Sequence, residues 1–70
     1  MNGIVKWFDP IKGYGFIRGS DGKDYFLHAS SLTEETINIF DGKKVTFDTE
    51  KTAKGIKAIN IKFVEEFEID

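Results

Sequence analysis

Six of the chain's ten aromatic rings fall between residues 7 and 26, at Trp7, Phe8, Tyr14, Phe16, Tyr25 and Phe26. The densest stretch reads Lys12-Gly13-Tyr14-Gly15-Phe16-Ile17, and Tyr25-Phe26-Leu27-His28 comes a short distance later. Side chains two apart on an extended chain share a side. If the two stretches are neighbouring antiparallel strands, Tyr14, Phe16, Phe26 and His28 form one patch. Flat rings in water offer π faces to unstacked bases, at roughly 1 to 3 kcal/mol per base, and read no base edge. Lys6, Lys12 and Arg18 are near enough in sequence to bring positive charge to phosphates beside the rings. Gly13 and Gly15 leave room for a close approach of backbone or ligand, and Gly13 can take a positive φ where a turn enters the strand.

Aromatic residues on strands are more often core than platform. Here the same side carries Arg18 and His28, and burying an unpaired charge costs several kcal/mol, so that side must face water. So much ring surface without a partner is also an aggregation liability, which favours a binding role. Trp7 is open between the two readings on its residues alone. Phe8, Phe40, Phe47, Phe63 and Phe67 are expected to be packing residues.

Other chemistries find little support. One histidine, no cysteine and no phosphate-loop or paired-histidine spacing leave no nucleophile and base to propose, so no enzyme, cofactor or metal is expected. Asp21 and Asp24 read as turn residues, short of the ligand number of a calcium loop. No apolar run approaches a membrane span, and Met1-Asn2-Gly3 does not open a secretory leader, so a cytoplasmic protein is expected. The net charge of -2 argues weakly against nucleic acid until its distribution is seen. Residues 1–64 hold all 10 basic groups and only 8 acidic ones, whereas Glu65, Glu66, Glu68 and Asp70 crowd one end. The chain therefore divides into a domain over 1–64 and an acidic extension over 65–70.

The elements that must position the rings are given by period-two runs bounded by turn residues: 4–8, 14–18, 24–28, 45–49 and 58–64. The segments 9–13 and 19–23 read as hairpin connections, so the first three strands form a meander. Ser30 to Asp41 is a longer connection with one helical turn, since Ser31 and Glu34 have capping-box spacing. Alternation buries Ile17, Tyr25 and Leu27, sets Val45 and Phe47 inward, and groups Ile59, Ile61 and Phe63 against Ala58, Asn60 and Lys62. Trp7 and Phe8 are adjacent and cannot share a face of a regular strand, which predicts a bulge near Trp7. In a chain of 70 residues, five short antiparallel strands with one longer connection give an all-β fold, a small barrel of the OB type.

The hexapeptide 12–17 also matches the first ribonucleoprotein motif of RNA-recognition domains, but those need two helices and place their second motif on an earlier strand. The order and length instead resemble cold-shock domain proteins of the small bacterial type. The resemblance covers roughly residues 2–62 and rests on Lys6-Trp7-Phe8, the hexapeptide, Tyr25-Phe26-Leu27-His28 and Gly42. It implies an OB barrel that binds single-stranded RNA and DNA and acts as an RNA chaperone. It also implies that Trp7, Tyr14, Phe16, Phe26 and His28 stack on bases, with Lys6, Lys12 and Lys54 near phosphates.

Three departures stand out. Ala29 comes after His28 where the family usually has a ring, and the loop near Thr36 has none. Two stacking positions are missing, which predicts a shorter footprint and binding weaker by about tenfold or more. The third is the acidic end, either a solvated extension or a competitor of phosphate for the basic edge. A monomer with no small-molecule substrate is expected. The alternative is a protein-interaction module using the same aromatic face. Salt separates the two, because a few phosphate contacts predict a log-affinity slope of about -2 to -3 on single strands.

Overall fold

A computed structural model describes residues 1–64. The expected acidic extension, Phe67 included, lies outside the described residues. Five strands occur in it: β1 (Asn2–Asp9), β2 (Tyr14–Gly19), β3 (Asp24–His28), β4 (Lys44–Thr52) and β5 (Gly55–Phe63). They close into a barrel in the order β1-β2-β3-β5-β4. Four neighbouring pairs are antiparallel, and β3 meets β5 through one parallel pairing, Phe26 with Lys57. The parallel pairing departs from the all-antiparallel expectation for a topological reason. An odd number of strands cannot alternate in direction all the way round a ring, so one neighbouring pair must run the same way.

The turns use the residues that turn geometry demands. Asp9 Oδ1 accepts from the backbone N–H of Ile11 and Lys12 at 2.9 and 3.1 Å, and Gly13, at φ +77°, donates back to the Asp9 carbonyl at 2.7 Å. Between β2 and β3, Asp21 Oδ1 takes the Lys23 N–H at 3.0 Å, and the hairpin pairs Tyr14 with His28, Phe16 with Phe26 and Arg18 with Asp24.

Val5, Ile17, Leu27, Val45, Phe47, Ala58 and Ile61 are buried together in the barrel, and Tyr25 packs its ring against Phe47 at 5.3 Å. Alternation holds through β2 and β3. It fails in β5. There Thr46 pairs with Lys62 but Asp48 with Ile59, so Asn60 and Ile61 stand opposite Phe47 alone, and Asn60 takes a positive φ of +51°. The extra residue shifts the phase of the strand. Ala58 and Ile61 both point into the core, contrary to the expected grouping of Ile59 with Ile61.

β4 and β5 also run past the predicted ends to a tight turn at Ala53-Lys54, where Thr52 Oγ1 donates to the Gly55 carbonyl at 2.8 Å. That end of the hairpin has charged residues on both sides, so no hydrophobic alternation marks it in the sequence. In the long connection, the helical turn is a 3-10 turn at Ala29–Ser31 and comes before the expected Ser31–Glu34 box. Its cap is His28, and farther on Thr33 and Thr36 bond to each other instead.

Candidate nucleic-acid interface

A bulge in β1 assembles the ring patch. Val5 pairs with Ile17 and Trp7 with Phe16, so Lys6 is an extra residue with no partner of its own on β2. In a regular strand, Trp7 would point inward like Val5. The added residue turns Trp7 out and sends Phe8 towards the core, where it is half-buried. The bulge places the Trp7 carbonyl so close to Gly15 that a Cβ there would overlap it, with the Phe8 Cα 2.7 Å away as well. Gly15 is thus the residue that lets β1 and β2 pair at the bulge.

On the outer face the rings form a connected set. Trp7 lies edge-on to Tyr14 and Phe16 at centroid distances of 5.7 and 5.6 Å, and Phe16 to Phe26 at 5.8 Å. Tyr14 is stacked on Phe26 at 6.1 Å, and His28 lies next to Phe26 at 6.2 Å. Such contacts fix the rings relative to one another and leave their outer faces to water. Trp7 is 38% exposed, Tyr14, Phe16 and Phe26 are half-buried, and His28 is exposed. His28 Nδ1 accepts from the Ser30 backbone N–H at 3.1 Å, which orients the imidazole and leaves Nε2 as its outer nitrogen.

The cations are arranged differently from the sequence expectation. Lys6 and Arg18 both reach the rim of the patch, but each is paired to Asp24: Lys6 Nζ donates to Oδ2 at 2.9 Å and Arg18 Nε to Oδ1 at 2.7 Å. Those two hydrogen bonds, Lys6 first, hold the Asp24 carboxyl below the usual carboxylate range. Lys12 stands exposed in the β1–β2 turn and Lys54 at the tip of the β4–β5 hairpin. Among the described residues, neither has an ion-pair partner.

Phe16 and Phe26 also floor a cleft of about 390 Å³ between β3 and the β4–β5 hairpin, walled by Lys54, Ile56 and Lys57 and edged by Asp24. The family resemblance implies Lys54 near phosphates, whereas Ile56, which is 44% exposed, is not among the residues expected from the sequence. The signal for Ile56 lay in the turn residues Ala53-Lys54-Gly55, which fix the hairpin and hence the position of the residue just beyond the turn. Phe40, expected to be a packing residue, is 55% exposed, and the Lys43 ammonium lies 5.9 Å from its centroid and 4.9 Å from that of Phe63. Thr36 is buried and hydrogen-bonded to Thr33, while its neighbour Ile37 faces water. Ala29 is exposed at the end of the patch beside Gly13, to whose carbonyl its N–H donates at 2.8 Å.

The family model described as the "'Cold-shock' DNA-binding domain" matches residues 1–64. The chain belongs to the cold-shock domain family. Relatives of this cold-shock domain include Cold shock protein 1 of Lactiplantibacillus plantarum, 49% identical over 86% of this chain and 92% of that protein. Cold shock-like protein CspB of Escherichia coli is 48% identical over 87% of this chain and 89% of its own length. A cold shock-like protein of Thermotoga maritima is 42% identical over 93% of this chain and its whole length. The matched span coincides with the barrel and includes the entire ring patch.

Proposed function

We propose that this cold-shock domain binds single-stranded RNA and DNA by stacking unpaired bases on Trp7, Tyr14, Phe16, Phe26 and His28. The observation that carries this reading is the continuous set of rings, each within about 6 Å of the next, on a sheet face that also bears charged groups. The π faces favour bases that have left a duplex and are indifferent to their edges, so binding is sequence-tolerant with some favour for pyrimidine runs. Holding bases unpaired shifts weak RNA secondary structure towards the open form by mass action, which is the physical content of an RNA chaperone. No catalytic step is part of this role. The protein acts as a cytoplasmic monomer.

Lys12 and Lys54 supply the phosphate contacts. With about two phosphates neutralised, the log-affinity slope against log salt is roughly -1.4, shallower than expected from the sequence because Asp24 occupies two of the cations. The test is a titration of Trp7 fluorescence with a seven-base oligothymidine at several salt concentrations. Quenching with that slope supports the reading. Binding to a protein partner without quenching by the oligonucleotide would transfer the ring face to the interaction-module alternative.

A further inference from the structure

The Asp24 carboxylate stands between the only guanidinium of the chain and a lysine ammonium, on the rim of the ring face. Each of its oxygens takes one cation, at 2.9 and 2.7 Å. A backbone phosphodiester also presents two acceptor oxygens, its non-bridging pair, and would satisfy the same two donors. The arrangement is built into the fold at two points. Arg18 and Asp24 are direct cross-strand partners in the β2–β3 hairpin, and the β1 bulge is centred on Lys6 and leaves it on the outer face. Asp24 also edges the cleft floored by Phe16 and Phe26, so a strand lying on those rings would carry its phosphates past this carboxylate.

We infer that Asp24 is a resident phosphate surrogate that occupies Lys6 and Arg18 and thereby limits the affinity of the ring face for single strands. The inference rests on the reading of that face as a platform for bases. Three charges in contact present a net single positive charge where Lys6 and Arg18 alone would present two. The carboxylate also repels a phosphate approaching within a Debye length, about 8 Å at physiological salt. Exposed ion pairs are weak, so a phosphate can exchange with Asp24, but it gains little by doing so because one anion replaces another. The lowered Asp24 pKa agrees with a carboxylate that stays ionised at neutral pH.

The experiment compares the unmodified chain with Asp24→Asn, using a seven-base oligothymidine and Trp7 fluorescence from about 50 mM to about 500 mM salt. Asp24→Asn is expected to bind about threefold to tenfold more tightly at low salt, and its slope should steepen from roughly -1.4 towards roughly -2.8 as two more phosphates are neutralised. The gain should vanish at high salt. Adding Lys6→Gln and Arg18→Gln to Asp24→Asn should restore the original slope, whereas the same pair of changes in the unmodified chain should remove much less. That non-additivity is the signature of the surrogate and is readable even if Asp24→Asn folds poorly, because a large loss of slope from Lys6→Gln with Arg18→Gln alone overturns the inference. Unchanged or weaker binding by a folded Asp24→Asn chain overturns it too, as does a gain that persists at high salt. If the unmodified chain takes up no oligothymidine, the platform reading itself fails. If it binds and Asp24→Asn changes nothing, only the surrogate fails.

Discussion

Trp7 and Phe16 sit opposite each other across β1 and β2 with ring centroids 5.6 Å apart, and they meet only because β1 holds Lys6 as an extra residue between Val5 and Trp7. The bulge both exposes the indole and orients it edge-on to the phenyl ring. One inserted residue thus joins the ring of β1 to the rings of β2 and β3.

Removing single rings should separate binding from folding. Phe16→Ala and Phe26→Ala should each weaken oligothymidine binding by roughly tenfold to a hundredfold, the value of about one stacked base. Both side chains are only half-buried, so thermal melts should show folded chains with a modestly lower midpoint. Two variants that melt as folded proteins yet bind as well as the parent would remove stacking as the mechanism.

Gly15→Ala should act in the opposite sense, on stability first. The new methyl group would overlap the Trp7 carbonyl, which is strand backbone and cannot swing aside as a flexible side chain would. A loss of about 2 to 4 kcal/mol is expected, the range in which strain and overpacking place severe substitutions. Urea unfolding of this variant, compared with that of Ala53→Gly at the exposed hairpin turn, measures it. A midpoint equal to the parent's would mean that the strands can part at the bulge without cost.

Ala29→Phe should lengthen the platform. Ala29 is exposed, comes directly after His28 and adjoins Gly13, so a ring there meets solvent and the end of the patch with no core to disturb. Tightening of oligothymidine binding by roughly threefold to thirtyfold is expected, since stacking is worth about 1 to 3 kcal/mol before ordering costs. Equal affinity would show that the strand leaves the protein before this point.

One hydrogen bond contributes to both limbs of the pH dependence of stability, the acid limb being shared with the depressed Asp24 carboxyl. The Tyr25 hydroxyl donates to the Asp21 carboxylate, which lowers the Asp21 pKa and raises that of Tyr25. A depressed carboxylate contributes stability above its unfolded value of about 3.9, lost as pH falls through the lower folded value. A raised phenol contributes below its unfolded value of about 10, and that part is lost as pH rises through the higher folded value. Melting temperature should therefore fall below about pH 4 and again above about pH 10. Asp21→Asn should flatten both limbs. An acid limb that superimposes on the parent's, in a folded Asp21→Asn chain, would leave the hydrogen bond without energetic weight.

Much of this arrangement is legible in the residues. The alternation of Tyr14 to Arg18 and of Asp24 to His28 separates an aliphatic side from an aromatic one, and the adjacent rings at 7 and 8 betray the bulge. Asn60 hides the second bulge, because nothing in Ala58 to Val64 shows that one residue will leave the phase of the strand. Phe40 misleads for a related reason: a phenyl ring in a loop is apolar wherever it points, and only the course of the backbone turns this one outward. The Asp24 triad was within reach. Once Tyr14 faces His28, residues of the hairpin pair symmetrically about its turn, and Arg18 must face Asp24. Lys6 joins them only through the bulge.

The single parallel pairing of Phe26 with Lys57 has a mechanical consequence. It is the thinnest seam of the ring, and local opening of a fold starts where the fewest hydrogen bonds resist it. In the binding mode proposed above, an oligonucleotide reaching from Phe26 to Lys54 would cross that seam as a staple, so hydrogen exchange at residues flanking it should slow on binding.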